Sequence, residues 1–462
     1  ATISDRHCEP EFIRELYRNG MNVVRINTAH QGPEDTLKVI KNVREVSGNI
    51  GIIIDTKGPE VRTTDLEKDM EVKEGDIVNI SGNQNLSIDG NVLFVNYVNF
   101  AVDVPTEARI LIDDGDIALL VKGKKDGFLV CEVENEGFIK NRKSINVPSV
   151  HIDLPALSAK DIEYIHFSAK NDIDFIAHSF VRNSKDILAI KKILDSYESP
   201  IKVIAKIENQ QGVDNIEDIL DHAYGIMIAR GDLAIEIPKE KIPPIQKYLI
   251  KRSIIKRRLV ITATQMLHTM IENPRPTRAE VSDVANAVYD GSDAIMLSGE
   301  TAYGKYPVES VKVMCDVCME VEANKSNYLD IPDYNINSEV SAYLCKAAVK
   351  ASVALKAKAI VSDTLTGRTI RNIAGFRGEV PILTVAYSQA LVRKLSLFYG
   401  VYGFYIERVS STRELFQKTF STLVNKGRLE KDSRIVLLAG HFGKSTHATH
   451  IEINEVSELL KL

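Results

Sequence analysis

In the run KVIAKIEN, Lys206 and Glu208 stand two residues apart at the end of an apolar stretch. On a strand, residues i and i+2 leave the same face, so this ammonium and carboxylate point the same way. A second carboxylate, Asp232, follows the next apolar run, GIMIARGD. Two carboxylates with water and substrate oxygens suit magnesium, a hard cation that keeps part of its hydration shell. A purely structural ion pair between Lys206 and Glu208 is the simpler alternative. Arg25, in NVVRIN, adds a permanent cation whose planar fork matches phosphate oxygens. Gly231 lets backbone N–H groups approach a ligand, while Thr264 and Ser298 offer hydroxyls to a carboxylate or an ordered water. Such a set can neutralise a phosphoryl group in transfer, a reaction that needs positioning and charge more than covalent help.

The elements that must position these groups are apolar runs ending in polar residues. They are NVVRIN, GIIIDT, DFIAHSF, KVIAKIE, GIMIARGD, LVITATQ and AIMLSGE, with helical patterns between most of them. Continuous Val/Ile/Leu runs separated by helices predict a parallel sheet buried on both faces, and the polar strand ends predict the mouth of a TIM (β/α)8 barrel. The opening ATIS reads as the tail of an eighth strand, so a short preceding segment is expected. The alternation breaks after Pro59. Short alternating segments with Gly, Asn and Asp turns then predict a small antiparallel β domain inserted into one barrel loop. The last third alternates helix and strand again and predicts an open α/β domain. The expected divisions are 1–59 with 152–324 for the catalytic barrel, 60–151 for the inserted β lid, and 325–462 for a C-terminal α/β domain.

Composition narrows the function. A chain of 462 residues with 44% hydrophobic and 26% charged residues is globular and too long for one core. Its formal net charge of -5 argues against nucleic acid as a partner, and the basic run KRSIIKRR reads as a solvated helix face. No run approaches the roughly 18–20 apolar residues of a membrane span. Five cysteines form no disulfide framework and fit a reducing cytoplasm. Cys315 and Cys318 read as small core positions rather than zinc ligands, since zinc takes four ligands. His178, beside Ser179 on a strand, reads as packed core, and replacing Lys206 should cost little stability if it is partly solvated in an open cleft.

The motifs MNVVRIN, DTKGPEVR, AKIENQQG, IMIARGDLAIEIP, ITATQML, NPRPTRAEVSDVANAV and DGSDAIMLSGETAYGKYP follow in this order and resemble the pyruvate kinase family. The resemblance covers essentially the whole chain and is strongest in the barrel. It implies transfer of a phosphoryl group from phosphoenolpyruvate to ADP, giving pyruvate and ATP in the last step of glycolysis. By that resemblance Lys206 stabilises the moving phosphoryl, Glu208 and Asp232 hold Mg2+ or Mn2+, and Arg25 binds the phosphate. Gly231, Asp232 and Thr264 would meet the substrate carboxylate, with a water network near Thr264 and Ser298 protonating the enolate carbon. Arg62 and Lys143 would touch the nucleotide or its second metal.

The family's potassium ligands correspond to Asn27, Asp55 and the carbonyl of Thr56, with Ala29 where the family has serine. Glu60 is the residue type that accompanies potassium dependence in the family, so activation by K+ is expected. Ser4 and Asp5 replace the family's usual glycine-proline. SDTLTGRT resembles a sugar-phosphate effector loop, which implicates Thr364, Thr366, Gly367, Arg368 and Thr369, whereas LAGHFGKSTHATH departs from the commoner forms. The resemblance also implies a homotetramer. Two other readings stand beside it. A metal-dependent aldolase or lyase acting on a 2-oxo acid also pairs Glu and Asp around magnesium, but requires neither Lys206, Arg25 nor Lys143. An inactive interaction protein would keep the fold without needing these groups.

Overall fold

The structure is a computed structural model and describes all residues except 30, 65, 325–339, 441–447 and 462. Seven parallel strands run in the order Val23–Asn27, Gly51–Asp55, Phe175–His178, Lys202–Ile207, Gly225–Ala229, Leu259–Ala263 and Ala294–Ile295. The ring closes through the N-terminal residues: Thr2 bridges Arg25 in parallel, and its N–H donates to the Leu297 carbonyl at 3.1 Å. The eighth stave is thus only a bridge long. Ile52, Ile54, Ile176, Ile204, Ile226, Ile228 and Val260 are all at 0% exposure, because the barrel interior covers one face of each strand and the helices cover the other. Helix starts carry the expected signals: Pro10 and Pro33 in first turns, Asn183 as a side-chain cap, and capping boxes at Ser158–Asp161 and Thr277–Glu280.

Between the second and third of these strands the chain leaves the barrel to build a closed seven-stranded β barrel with its own core, including Val78, Ile80, Leu119 and Leu129. Its pairs are antiparallel except Ile77–Ser81 with Asn91–Val95, which are parallel. Gly58, at φ +74, begins the excursion. A Cβ there would lie 2.9 Å from the Ser179 Cβ and 3.0 Å from the Ser179 carbonyl, so only glycine passes this point without strain. The return segment is pinned by Arg182 Nη1 donating to the Leu154 carbonyl at 2.9 Å and by His178 Nε2 to the Ala156 carbonyl at 3.0 Å.

The C-terminal sheet has five strands, four of them parallel, with His450–Glu455 pairing antiparallel to Arg434–Ala439. That strand alternates polar and apolar residues, as an edge does, and was not among the strands expected from the sequence. HFGKSTH, residues 441–447 within the divergent LAGHFGKSTHATH, lies outside the described residues. Two buried ion pairs join this domain to the floor of the barrel: Arg393, on the helix Gln389–Leu395, with Asp174 at 2.8 Å, and Arg377, just past the helix Arg368–Ala374, with Asp293 at 2.9 Å. The basic run KRSIIKRR is not a freely solvated face. Arg252 and Lys256 pair with Glu217 and Asp221, and the Arg257 guanidinium stacks 4.2 Å from the centre of the Phe376 ring. Among the described residues no helix is long and apolar enough to cross a membrane.

Candidate active site

Three barrel strands deliver one line of charge. Arg25 Nε donates to Asp55 Oδ2 at 2.6 Å, Asp55 Oδ1 faces Lys206 Nζ at 3.1 Å, and Lys206 Nζ reaches Glu208 Oε1 at 2.8 Å. Lys206 Nζ also donates to Ser179 Oγ at 2.7 Å, and the Phe180 N–H caps Glu208 Oε2 at 2.7 Å. Lys206 is only 8% exposed, so the partial solvation on which a small cost of replacing it depended is not met. Burial alone would lower its pKa, but Asp55 and Glu208 together outweigh that cost and hold the ammonium above the ordinary lysine range. Asp55 is likewise buried, yet Arg25 and Lys206 keep its carboxyl below the usual range. Glu208 moves the other way: burial, helped by the charge of Asp232, pushes it up against the pull of Lys206.

Counting Asp232, two cations face three carboxyl groups, so the site carries one net negative charge once Glu208 is ionised. Asp232 sits in the first turn of the helix Arg230–Glu236, which begins directly after the strand Gly225–Ala229. It is therefore a helix residue, where the sequence suggested a strand end. Its carboxylate has no hydrogen-bond or ion-pair partner among the described residues. Glu208 and Asp232 are hard oxygen donors beside one excess negative charge, which fits a divalent cation that keeps several waters.

Thr264 and Gln265 follow the strand Leu259–Ala263 with φ +65 and +53. A left-handed backbone at a β-branched threonine costs on the order of 1–3 kcal/mol and persists only where neighbours enforce it. The Thr264 hydroxyl accepts the Gly231 N–H at 2.8 Å and donates to the Ala263 carbonyl at 2.7 Å, so Gly231, Asp232 and Thr264 are brought together. Ser298 begins the next loop, and its N–H donates to Glu300 Oε2 at 2.7 Å. The other Glu300 oxygen accepts the Leu267 N–H at 3.1 Å, which ties the two loops.

The cleft between the barrel mouth and the inserted β barrel has a volume of about 820 Å3 and is lined by Arg25, Lys206, Glu208 and Asp232 on one side and Arg62 and Lys143 on the other. Arg62 pairs with Glu60 at 2.5 Å and Lys143 with Asp113 at 2.7 Å, each with side chains about a quarter to a third exposed or less. Asn27 Oδ1 accepts the Ala29 N–H at 3.1 Å, and the Thr56 carbonyl accepts the Ser179 hydroxyl at 2.7 Å. Thr364 Oγ1 accepts the Gly367 N–H at 2.9 Å, with Gly367 at φ +80 and Thr366 Oγ1 facing the Arg368 N–H at 3.5 Å. Thr369 is buried in the helix that follows. This loop belongs to the C-terminal sheet and does not line the cleft.

Sequence reasoning did not single out Ser179, Arg230 or Glu300 as site residues, although each fastens a group that it did. Ser179 was visible as a strand end, but no residue type there foretells the φ of +56 at Phe180, whose N–H donates to Glu208. His178 is buried as expected, but it is more than packing. Its Nδ1 meets Thr56 Oγ1 at 2.8 Å, and burial lowers its pKa so that the ring stays neutral. Cys315 and Cys318, among five free cysteines, are half-buried on their helix.

Residues 1–311 match the family model described as pyruvate kinase, barrel domain, and residues 343–453 match pyruvate kinase, alpha/beta domain. The pyruvate kinase of Borreliella burgdorferi is 45% identical over 467 residues, covering 100% of this chain and 97% of the relative. Those of Geobacillus stearothermophilus and Bacillus licheniformis are 40% and 39% identical, covering 96% and 97% of this chain and 78% of each relative. These matches decide against the aldolase or lyase reading. The chain belongs to the pyruvate kinase family, phosphotransferases that move a phosphoryl group from phosphoenolpyruvate to ADP.

Proposed function

We propose that the buried ammonium of Lys206 carries the charge of the phosphoryl group in flight, with Arg25 holding the substrate phosphate in line. The observation that carries this reading is the position of Lys206 Nζ, within 3.1 Å of both Asp55 and Glu208 at the cleft wall. Two carboxylates compensate Lys206, so it stays protonated throughout, acting as a fixed cation and not as a proton donor. Its charge is worth most when the transferring group is least bonded to either oxygen.

Glu208 and Asp232 would hold Mg2+ or Mn2+, which when bound supplies charge neutralisation and a template for substrate oxygens. The substrate carboxylate would take the Gly231 N–H now accepted by Thr264 Oγ1, and so lie against both residues and Asp232's cation. A water near Thr264 and Ser298 would deliver the proton to the enolate carbon. Asn27, Asp55 and the Thr56 carbonyl would hold K+, and their oxygens are of the hard type such an ion accepts; Ala29 contributes only a methyl group. Arg62 and Lys143 would exchange their carboxylate partners, 17% and 26% exposed, for nucleotide phosphates.

In this reading residues 1–59 and 152–324 form the catalytic barrel and residues 60–151 a lid. Residues 325–462 form a regulatory domain whose Thr364, Thr366, Gly367, Arg368 and Thr369 would take a sugar-phosphate effector. A homotetramer in the cytoplasm goes with it, the latter in keeping with five free cysteines. A coupled assay of pyruvate formation from phosphoenolpyruvate, ADP and Mg2+, run on the wild type and on Arg25→Lys, tests the assignment. The lysine variant should show a phosphoenolpyruvate KM raised by about tenfold or more, since a point charge replaces a fork; an unchanged KM would remove Arg25 from the phosphate site.

A further inference from the structure

Arg230 is 9% exposed, and it is not a cleft residue. Its guanidinium is spent on the loop that carries Thr264. Nη2 donates to the Thr264 carbonyl at 2.8 Å, to the Gln265 carbonyl at 3.4 Å and to Met266 Sδ at 2.9 Å, while Nε faces the Ala263 carbonyl at 3.4 Å. The remaining nitrogen pairs with Asp283 at 2.7 Å and with Gln246 Oε1 at 3.3 Å, on two helices of the outer ring. The carbonyls it holds are those of Thr264 and Gln265, two consecutive non-glycine residues with left-handed backbone, and of the alanine before them. Such a turn relaxes unless its surroundings over-determine it. The next residue, Gly231, bonds the Thr264 hydroxyl, so Arg230 stands where the helix bearing Asp232 meets the turn bearing Thr264.

We propose that Arg230 is a positioning residue for the phosphotransfer and protonation chemistry: it locks the strained Thr264–Gln265 turn and thereby aims the Thr264 hydroxyl and the Gly231 amide at the substrate. The inference rests on the assignment of Thr264 to the substrate site. A five-donor planar fork is required, because one group must reach successive carbonyls on one side and a carboxylate on the other. Lysine, with donors at a single point, cannot span both.

The test is a double-mutant cycle of Arg230→Lys and Thr264→Ala in the full chain, read as kcat and as KM for ADP. Arg230→Lys should lower kcat about ten- to a hundredfold, the penalty of a small misplacement at a reacting centre, and leave the ADP KM unchanged. In the Thr264→Ala background the same change should cost almost nothing further, because the group it positions is gone. A kcat for Arg230→Lys close to wild type, or a loss that multiplies fully with that of Thr264→Ala, overturns the proposal. Full activity in Thr264→Ala alone would instead overturn the assignment beneath it. If Arg230→Lys does not fold, Asp283→Asn decides: it loosens the guanidinium from outside the site and should give a smaller loss confined to kcat, whereas unchanged kcat there defeats the idea.

Discussion

The Lys206 ammonium lies 3.1 Å from the Asp55 carboxylate across the intervening strand Phe175–His178, and both groups are almost wholly withdrawn from solvent. The pair is thus built into the barrel wall. Asp55 orients Lys206 and Arg25 at once, which sets two cations at a fixed spacing before any substrate arrives.

This relationship predicts a stability cost that an open-cleft lysine would not have. Lys206→Met leaves Asp55 with one cationic partner and Glu208 with none, inside the protein. Breaking a buried pair in this way costs about 3–5 kcal/mol. Thermal unfolding should show a clear loss for Lys206→Met, partly recovered by Lys206→Met with Glu208→Gln; a melting temperature equal to the wild type would mean that water reaches the site freely.

Glu236 gives a pH-dependent signature. Burial pushes its carboxyl from 4.5 up to about 7, against a weak pull from the Gln210 N–H. Between those values the folded chain holds a proton that the unfolded chain has released, so this group's contribution to stability falls as pH rises and stays low above about 7. Glu236→Gln removes that penalty, which at about 1.4 kcal/mol per pH unit amounts to at most roughly 3 kcal/mol. The variant should melt higher than wild type at pH 8 and about equally at pH 5; no gain at pH 8 contradicts the buried-acid account.

The legible part of the fold was its periodicity. Seven apolar runs with polar ends gave the barrel strands, and the change of texture after Pro59 gave the inserted domain. What stayed hidden depends on contacts remote in sequence. The burial of Lys206 was not legible because nothing in KVIAKIE shows that Asp55, some 150 residues earlier, stands opposite it. Arg230 looked like one more charged strand end because its partners lie in other segments: the Thr264 turn and the helices Ile242–Ile255 and Arg278–Tyr289. The left-handed conformations of Thr264, Gln265 and Phe180 carry no residue signature at all, since none is glycine or asparagine.

In the inserted β barrel, Lys143→Ala should raise the ADP KM by about tenfold and leave the phosphoenolpyruvate KM near wild type, because Lys143 lines the cleft from that barrel's side. Equal effects on both substrates would place Lys143 elsewhere in the reaction.

Potassium should activate the protein, and Ala29→Ser should lower the K+ concentration needed by several-fold, of the order expected for one regained oxygen contact worth about 1 kcal/mol. Rates measured in sodium-free buffer with tetramethylammonium as the control cation decide this. Equal rates with and without K+ would remove Asn27, Asp55 and Thr56 from any cation role.

The most direct test of the whole account pairs turnover with metal binding in Lys206→Met. Pyruvate formation from phosphoenolpyruvate and ADP should fall by at least about a thousandfold, while Mn2+, followed by its electron paramagnetic resonance signal, still binds through Glu208 and Asp232. A variant that keeps most of its turnover would show that the Lys206 charge is not what stabilises the phosphoryl group in transfer.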